Sequence, residues 1–167
     1  ILCFEIYFWL ILMDNPPFPY HPNILLSPDS SRIKLETLIY SAQDSLKIYM
    51  QYLQDDGIEQ LLLKKAAEWV RISAVMPESY FKSENNINQI KTLQTAGIQL
   101  SKLSPDSMHA KAILVDEQFL YIGSINMSYY SLDENREMWI IIKDLHIIQS
   151  FLQQYTQDLK RGLQKPK

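Results

Sequence analysis

The sequence predicts an α/β domain in which helices cover a mixed, largely parallel β-sheet. In the first half of the chain, short runs of β-branched and aromatic residues alternate with segments of helical period, the pattern of βαβ units. Between residues 110 and 142, apolar runs follow one another across short turns, which adds strands without intervening helices. With 167 residues, of which 47% are hydrophobic, the chain is long enough for one domain with a sizeable core.

The first half carries alternating strand and helix signals. A strand predicted at 23–26 precedes the Ser-Pro-Asp-Ser-Ser stretch at 27–31, which offers several helix N-caps. Apolar residues then recur on one helical face through 35–46. The same reasoning predicts strands at 47–53, 71–76 and 98–103, and helices at 55–70 and 85–96, the last ended by Gly97.

The second half predicts more closely set strands and a closing helix. Strands are expected at 110–115 and 119–125, joined by a turn at 116–118, with a further strand at 138–142. The domain is expected to span 23–163, followed by a solvated tail at 164–167. The closing helix is predicted from apolar residues at helical spacing, namely Leu145, Ile148, Leu152, Tyr155 and Leu159.

The N-terminus is an apolar run followed by a proline-rich linker. Residues 1–13 are interrupted only by Glu5, but they fall short of the roughly 20 residues that span a bilayer. The run lacks the basic start of a signal peptide, so we expect a buried strand, with a linker at 14–22. The chain begins without methionine, from which we expect a fragment or a processed form. Because no signal peptide is visible, we expect it in the cytoplasm or at a membrane surface.

Composition limits the classes of function. A net charge of -3 argues mildly against a protein that mainly neutralises nucleic-acid phosphates, although a local basic cleft stays open. Cys3 is the single cysteine, so neither an intrachain disulfide nor a cysteine-based metal site is expected. The three histidines are too scattered for a spaced metal motif, and the sequence predicts no metal and no cofactor.

One spaced set of polar residues between positions 109 and 126 carries the chemistry. Residues two apart on a strand point to the same face. His109 and Lys111 therefore form one pair, and Ser124 and Asn126 form another. The lysine would neutralise a phosphate, the serine and asparagine would donate hydrogen bonds to it, and the histidine would attack phosphorus. The glycine lets backbone or substrate approach closely. The set is His109, Lys111, Asp116, Gly123, Ser124 and Asn126.

A nucleophilic imidazole needs an acceptor on its other ring nitrogen. Glu137, which precedes the strand predicted at 138–142, is the best candidate for that role. Taken alone, His109 would more often be a satisfied core residue than a catalyst, but five partners at fixed spacing reverse that expectation. Asp116 has a good structural explanation in any case, because aspartate commonly begins turns.

The string H-x-K-x4-D-x6-G-S-x-N resembles the signature of the phospholipase D superfamily. The likeness covers about residues 23 to 160 and includes the Asn-Arg-Glu segment at 135–137. The resemblance implies a metal-independent reaction in two steps, with a phosphohistidine formed on His109. It also implies that Lys111 and Asn126 hold the phosphate with help from Ser124, whereas Asp116 is structural.

The resemblance also implies a second histidine, from a second copy of the motif, which this chain lacks. One resolution is a homodimer in which each subunit contributes half of the site. The other is that the chain is the C-terminal half of a longer enzyme. In that case residues 1–14 would be the last strand of the upstream half, because the segment 5–9 echoes 137–141.

Three functions follow from the resemblance. The first is hydrolysis or transfer of a phospholipid phosphodiester, with peripheral membrane contact, which the acidic balance and apolar richness favour. The second is a metal-independent endonuclease that acts as a homodimer. The third is a non-catalytic half-domain that completes the active site of a partner.

Overall fold

The structure is a computed structural model that describes residues 23–104 and 108–163. The predicted strand at 1–13, the linker at 14–22 and the tail at 164–167 lie outside these residues. A single sheet of seven strands runs through the described part of the chain, in the spatial order β1-β7-β6-β5-β2-β3-β4. The strands are β1 Ile24–Ser27, β2 Ser45–Tyr49, β3 Arg71–Pro77, β4 Gln99–Leu103, β5 Ala112–Val115, β6 Phe119–Gly123 and β7 Glu137–Ile142.

Helices connect the first four strands and close the domain. A short helix at 78–82 and a 3₁₀ turn at 84–86 precede the predicted third helix, which therefore begins at residue 87. A single π-helical turn at 130–134 separates β6 from β7 and was not predicted. The helices are α1 Ser31–Ser41, α2 Asp56–Ala67, α3 Glu78–Lys82, α4 Ile87–Thr95 and α5 Leu145–Leu163.

The prediction of an α/β domain with a mixed sheet is confirmed, but the expectation of a largely parallel sheet is wrong. Only β2–β3 and β3–β4 are parallel pairs. The other four pairings are antiparallel. A parallel pair needs a long crossover between neighbouring strands, and within the described residues helices join neighbouring strands only at β2–β3 and β3–β4. The chain after α1 enters the middle of the sheet instead of pairing with β1, which lies at the edge against β7.

The two faces of the sheet are covered by different helices. On one face α1 and α2 bury Leu35, Ile39 and Ile58 in the larger core cluster. On the other face α5 packs Ile148 and Tyr155 over the middle of the sheet in a second cluster. No helix in the described part of the chain is both long and apolar enough to span a membrane.

Candidate active site

One end of the sheet brings the predicted polar residues together. Tyr49, the last residue of β2, pairs with Ala112, the first of β5, and Ala112 pairs with Ile122 on β6. Gly123 pairs with Trp139 near the start of β7. The loop before β5, the loop after β6 and the beginning of β7 therefore meet at the same end of the sheet.

His109, Lys111, Ser124 and Asn126 lie in loops beside the strands, whereas Gly123 ends β6. The structure starts β5 at residue 112 and ends β6 at residue 123, so the predicted strand bounds of 110 and 125 are wrong. The Gly123 N–H still donates to the Lys111 carbonyl at 3.2 Å, which holds the two loops together. Beyond that bond, residue 127 turns to a different neighbour and forms an isolated parallel bridge with Leu53.

Lys111 is the most enclosed of the motif's polar side chains, with 5% of its surface exposed. Its Nζ donates to the His109 carbonyl at 2.9 Å and to Gln51 Oε1 at 3.0 Å, and it lies 3.1 Å from His109 Nδ1. Burial lowers the pKa of the ammonium below its usual value, and the charge of Glu137 opposes that shift. The buried cation is thus fixed beside the imidazole.

Sequence reasoning missed Gln51. It is a lone polar residue between Met50 and Tyr52, directly after β2, and that interruption of an apolar run is the only signal in the sequence. Its carboxamide oxygen accepts one hydrogen of the Lys111 ammonium and so limits where the ammonium can lie.

His109 is exposed, and its Nδ1 faces the Lys111 ammonium. An ammonium can only donate, so in the neutral imidazole Nδ1 accepts and the proton lies on Nε2. The expected contact with Glu137 is not formed within the described residues, where the recorded side-chain partner of Glu137 is Asn135 Nδ2 at 3.4 Å. The orienting role of Glu137 stays a prediction, and its charge acts on Lys111, the residue that faces Nδ1.

Ser124 and Asn126 follow β6 and differ in what they offer. The Ser124 hydroxyl oxygen accepts from the Met138 N–H at 3.2 Å, so its own hydrogen remains able to donate. Asn126 Oδ1 is buried without a hydrogen-bond partner. A phosphate oxygen cannot donate to this acceptor, so only the amide nitrogen, Nδ2, of Asn126 is suited to hold a phosphate.

Gly123 is required by the packing of β7. A Cβ added at this position would lie 2.0 Å from the Met138 carbonyl oxygen and 2.4 Å from Trp139 Cδ1. The sequence left open whether backbone or substrate approaches residue 123 closely. The close approach of the β7 backbone is sufficient to require glycine there. The close packing sets the position of Ser124, the next residue in the chain.

Asp116 lies at the opposite end of the sheet from the motif's other residues. It follows β5, whose four residues span about 13 Å, whereas the candidate site precedes that strand. Its carboxylate accepts the N–H groups of Gln43 at 3.0 Å, Asp44 at 2.9 Å and Ser45 at 2.8 Å. The carboxylate holds the start of β2, in keeping with the structural role that the resemblance implies for Asp116.

The candidate site shows no arrangement suited to a metal ion. In residues 23–104 and 108–163, no three or more histidine, cysteine, aspartate or glutamate side chains are grouped so that they could hold one. The site gathers a buried ammonium, an imidazole, a hydroxyl and a carboxamide at one end of the sheet. The ammonium, hydroxyl and amide N–H donors suit the oxygen atoms and the charge of a phosphate group.

Comparison with known families identifies the class of protein. Residues 35–160 match the family described as cardiolipin synthase, PLD-like domain. The chain therefore belongs to the phospholipase D superfamily of phosphodiesterases, and the resemblance carried by the motif is confirmed.

The relatives differ in length. Cardiolipin synthase A of Buchnera aphidicola subsp. Schizaphis graminum is 29% identical over 114 residues, which cover 66% of this chain and 24% of that protein. The mitochondrial cardiolipin hydrolase of Mus musculus is 27% identical over 149 residues, 86% of this chain and 66% of that protein. The chain thus spans about a quarter of the length of the cardiolipin synthases that it matches.

Solved structures share the fold. Nuc from Salmonella typhimurium, a phospholipase D family member, superposes with a TM-score of 0.77 at 22% identity, over 86% of this chain and 97% of that one. Phosphatidylserine synthase from Haemophilus influenzae superposes with a TM-score of 0.68 at 12% identity, over 83% and 38% of the two chains. At these identities the similarity is one of fold.

Proposed function

We propose that this chain supplies one half of an active site that hydrolyses or transfers the phosphodiester of a phospholipid. The observation that carries the proposal is the buried Lys111 ammonium, which lies 3.1 Å from Nδ1 of the exposed His109 ring. The names of the relatives, cardiolipin synthase A and mitochondrial cardiolipin hydrolase, support a phospholipid as the substrate class.

In the proposed first step, an imidazole nitrogen of His109 attacks phosphorus. The N–P bond forms, the bond from phosphorus to the leaving alcohol breaks, and the alcohol oxygen takes a proton from an acid. Lys111 balances the phosphate charge, and Ser124 and Asn126 donate to its oxygens. In the second step, water or another alcohol loses a proton to that same group and attacks phosphorus, which breaks the N–P bond and frees His109.

The position of the proton on the neutral His109 ring indicates that other groups must act before the ring can attack. With Nδ1 facing Lys111, the neutral ring carries its proton on the outward Nε2, which cannot attack while protonated. Attack through Nε2 requires that Lys111 turn to the phosphate and that an acceptor take the proton at Nδ1. Glu137, whose charge acts on Lys111, is the candidate for that acceptor. The acid for the leaving group would come from a second motif, in a homodimer partner or in another part of a longer chain.

The surroundings of the site favour lipid over nucleic acid. Tyr52, Tyr129, Tyr130 and Met138 are exposed around this end of the sheet. Aromatic side chains can also stack on bases, but nucleic-acid sites combine them with several lysine and arginine side chains along the path of the backbone. The next basic residue after Asn126, Arg136, is paired with an aspartate at 2.6 Å. Peripheral contact with a membrane surface is therefore part of the proposal.

The test is a substrate comparison in the presence of a chelator. Purified protein is incubated with vesicles of phosphatidylcholine or cardiolipin and, separately, with single-stranded DNA, and products are separated by chromatography. We expect release of phosphatidic acid from lipid and no cleavage of DNA. Cleavage of DNA alone would favour the homodimeric endonuclease. Inactivity toward both substrates in a protein that sediments as a dimer would favour the non-catalytic half-domain.

Sedimentation at micromolar concentration decides how the site is completed. An active dimer supports two half-sites contributed by two copies of this chain. An inactive monomer supports a longer enzyme in which another segment supplies the second motif.

A further inference from the structure

A single arginine joins two segments of the chain that are far apart in sequence. The Arg32 guanidinium on α1 contacts Asp55 through Nη2 at 2.6 Å and Asp133 through Nε at 2.8 Å, and its Nη2 also contacts Asp133. Glu36 adds a third carboxylate at 3.3 Å. One cation therefore holds together carboxylates that would otherwise repel each other.

The first joined segment, 51–55, positions the lysine of the site. Gln51 accepts from Lys111 Nζ at 3.0 Å, and three residues later the Gln54 N–H donates to the Met127 carbonyl at 2.7 Å. Asp55 ends the segment, and its carboxylate accepts the Ile58 N–H at 3.0 Å at the beginning of α2.

The second joined segment, 126–137, carries the asparagine and the glutamate of the site. Met127 is held to the first segment through its N–H, which donates to the Tyr52 carbonyl at 3.2 Å. The π-helical turn at 130–134 then places Asp133 against Arg32, and the turn is closed by the Asn135 N–H on the Tyr130 carbonyl at 2.7 Å. Such turns are rare and occur often at functional sites.

Two serines add to the hold on the π-helical turn. The Ser31 hydroxyl donates to the Leu132 carbonyl at 2.7 Å, and the Ser27 hydroxyl donates to the Ser131 carbonyl. All three anchoring side chains, the two serines and Arg32, come from the end of β1 and the first turn of α1. Among them, only Arg32 also reaches the segment that positions Lys111.

We propose that Arg32 is a positioning residue for the phosphate site, and that its guanidinium clamps the segments 51–55 and 126–137 so that Lys111 and Asn126 keep their separation. The phosphate in this statement rests on the proposed function, whereas the coupling of the two segments does not. A lysine cannot replace the clamp, because a guanidinium presents several donors in a rigid fork and an ammonium is a point charge.

Hydrogen exchange tests the coupling independently of activity. In Arg32→Gln the amides of Gln54 and Met127, and those of Leu132 and Asn135, are expected to exchange faster together, by about tenfold or more. Arg32→Lys is expected to fall between wild type and Arg32→Gln while keeping the fold. Adding Asp133→Asn to Arg32→Gln removes one repelling charge and should restore part of the protection.

The control is another buried cation on the same side of the sheet. Lys65 lies near the end of α2, away from Asp55, and pairs with Glu68 at 2.7 Å. Lys65→Gln should leave exchange in both segments unchanged. The clamp would be overturned if exchange in Arg32→Gln became faster in only one of the two segments. It would also be overturned if Arg32→Gln and Lys65→Gln exchanged at the same rate.

Binding of inorganic phosphate, followed by calorimetry, links the clamp to the site. We expect Arg32→Gln to weaken binding by about tenfold and Lys65→Gln to leave it unchanged. Unchanged phosphate binding in Arg32→Gln, with looser segments, would refute the positioning role. If the wild type binds no phosphate, the proposed function fails, and the exchange experiment alone decides whether Arg32 couples the segments.

Discussion

Substitution of Asp116 separates the structural part of the motif from the catalytic part. In Asp116→Ala the three N–H groups of Gln43, Asp44 and Ser45 lose their carboxylate. The first two are exposed and can turn to water, at a cost of about 0.5 kcal/mol each, whereas the part-buried Ser45 group costs about 1–1.5 kcal/mol. Residue 116 also has φ 50, which costs alanine about 1 kcal/mol.

The sum is a loss of about 3 kcal/mol in the free energy of unfolding. For a domain of this size it lowers Tm by about 6–12 °C, which differential scanning calorimetry resolves. Binding of inorganic phosphate at 25 °C is expected to stay within about twofold of wild type, because the carboxylate lies at the far end of β5. Asp116→Asn, which keeps one acceptor and tolerates positive φ, should lose about half as much stability.

The reasoning would be refuted by the opposite pattern. A variant with unchanged Tm and lost phosphate binding would place Asp116 in the site after all. A variant with a lower Tm that also loses phosphate binding, and does not recover it at low temperature, would show that the two ends of the sheet are coupled.

Three further outcomes are expected. Lys111→Met should weaken phosphate binding by about 10²–10³, since one charge at about 4 Å contributes up to about 4 kcal/mol at an effective dielectric of 20. Lys47→Met, in the middle of β2 with Nζ paired to Glu117 at 2.8 Å, should leave phosphate binding unchanged, and equal losses in the two variants would contradict the site. Gly123→Ala should lower the free energy of unfolding, measured by chemical denaturation, by about 2 kcal/mol or more, because its Cβ would meet β7. Gly97→Ala has a φ of 84° but no atom within 4 Å of its Cβ, so it should lose only about 1 kcal/mol. The reverse order would disprove the packing argument. Burial raises the pKa of Tyr155 to about 12, so the protonated side chain stabilises the fold fully below pH 10. That stabilisation is lost as the pH rises, by about 2–3 kcal/mol at pH 12. The free energy of unfolding of Tyr155→Phe should therefore fall less steeply with alkaline pH, and an unchanged slope would contradict the shift.

Hydrophobic periodicity was enough to predict most helices and strands, because each is set by its local pattern. The pairing of strands was harder to predict, since it depends on contacts between distant positions. Leu46, assigned to a helical face, lies in β2 between β3 and β5. The close spacing of the strands after residue 110 predicts a continuous sheet. The antiparallel pairing of β5 with β2 cannot be predicted in this way, because no local sequence pattern indicates it.

The motif predicted which polar residues meet but not how they are oriented. Spacing brought His109 and Lys111 together, yet only the structure shows that the ammonium faces Nδ1. Gln51 acts on a lysine 60 positions away, and Arg32 on an aspartate 101 positions away, so neither could be found from local sequence. Asp116 belongs to the string by spacing alone, because the length of β5 carries it to the opposite end.

The central claim is tested most directly by isolating the covalent intermediate. Protein is mixed with a phospholipid labelled with ³²P in its phosphodiester, quenched within one turnover and mapped by mass spectrometry. The account predicts an acid-labile phosphate adduct on His109 that is absent in His109→Asn, together with loss of all turnover in that variant. Phospholipid turnover without label on His109, or turnover at the wild-type rate in His109→Asn, would contradict it.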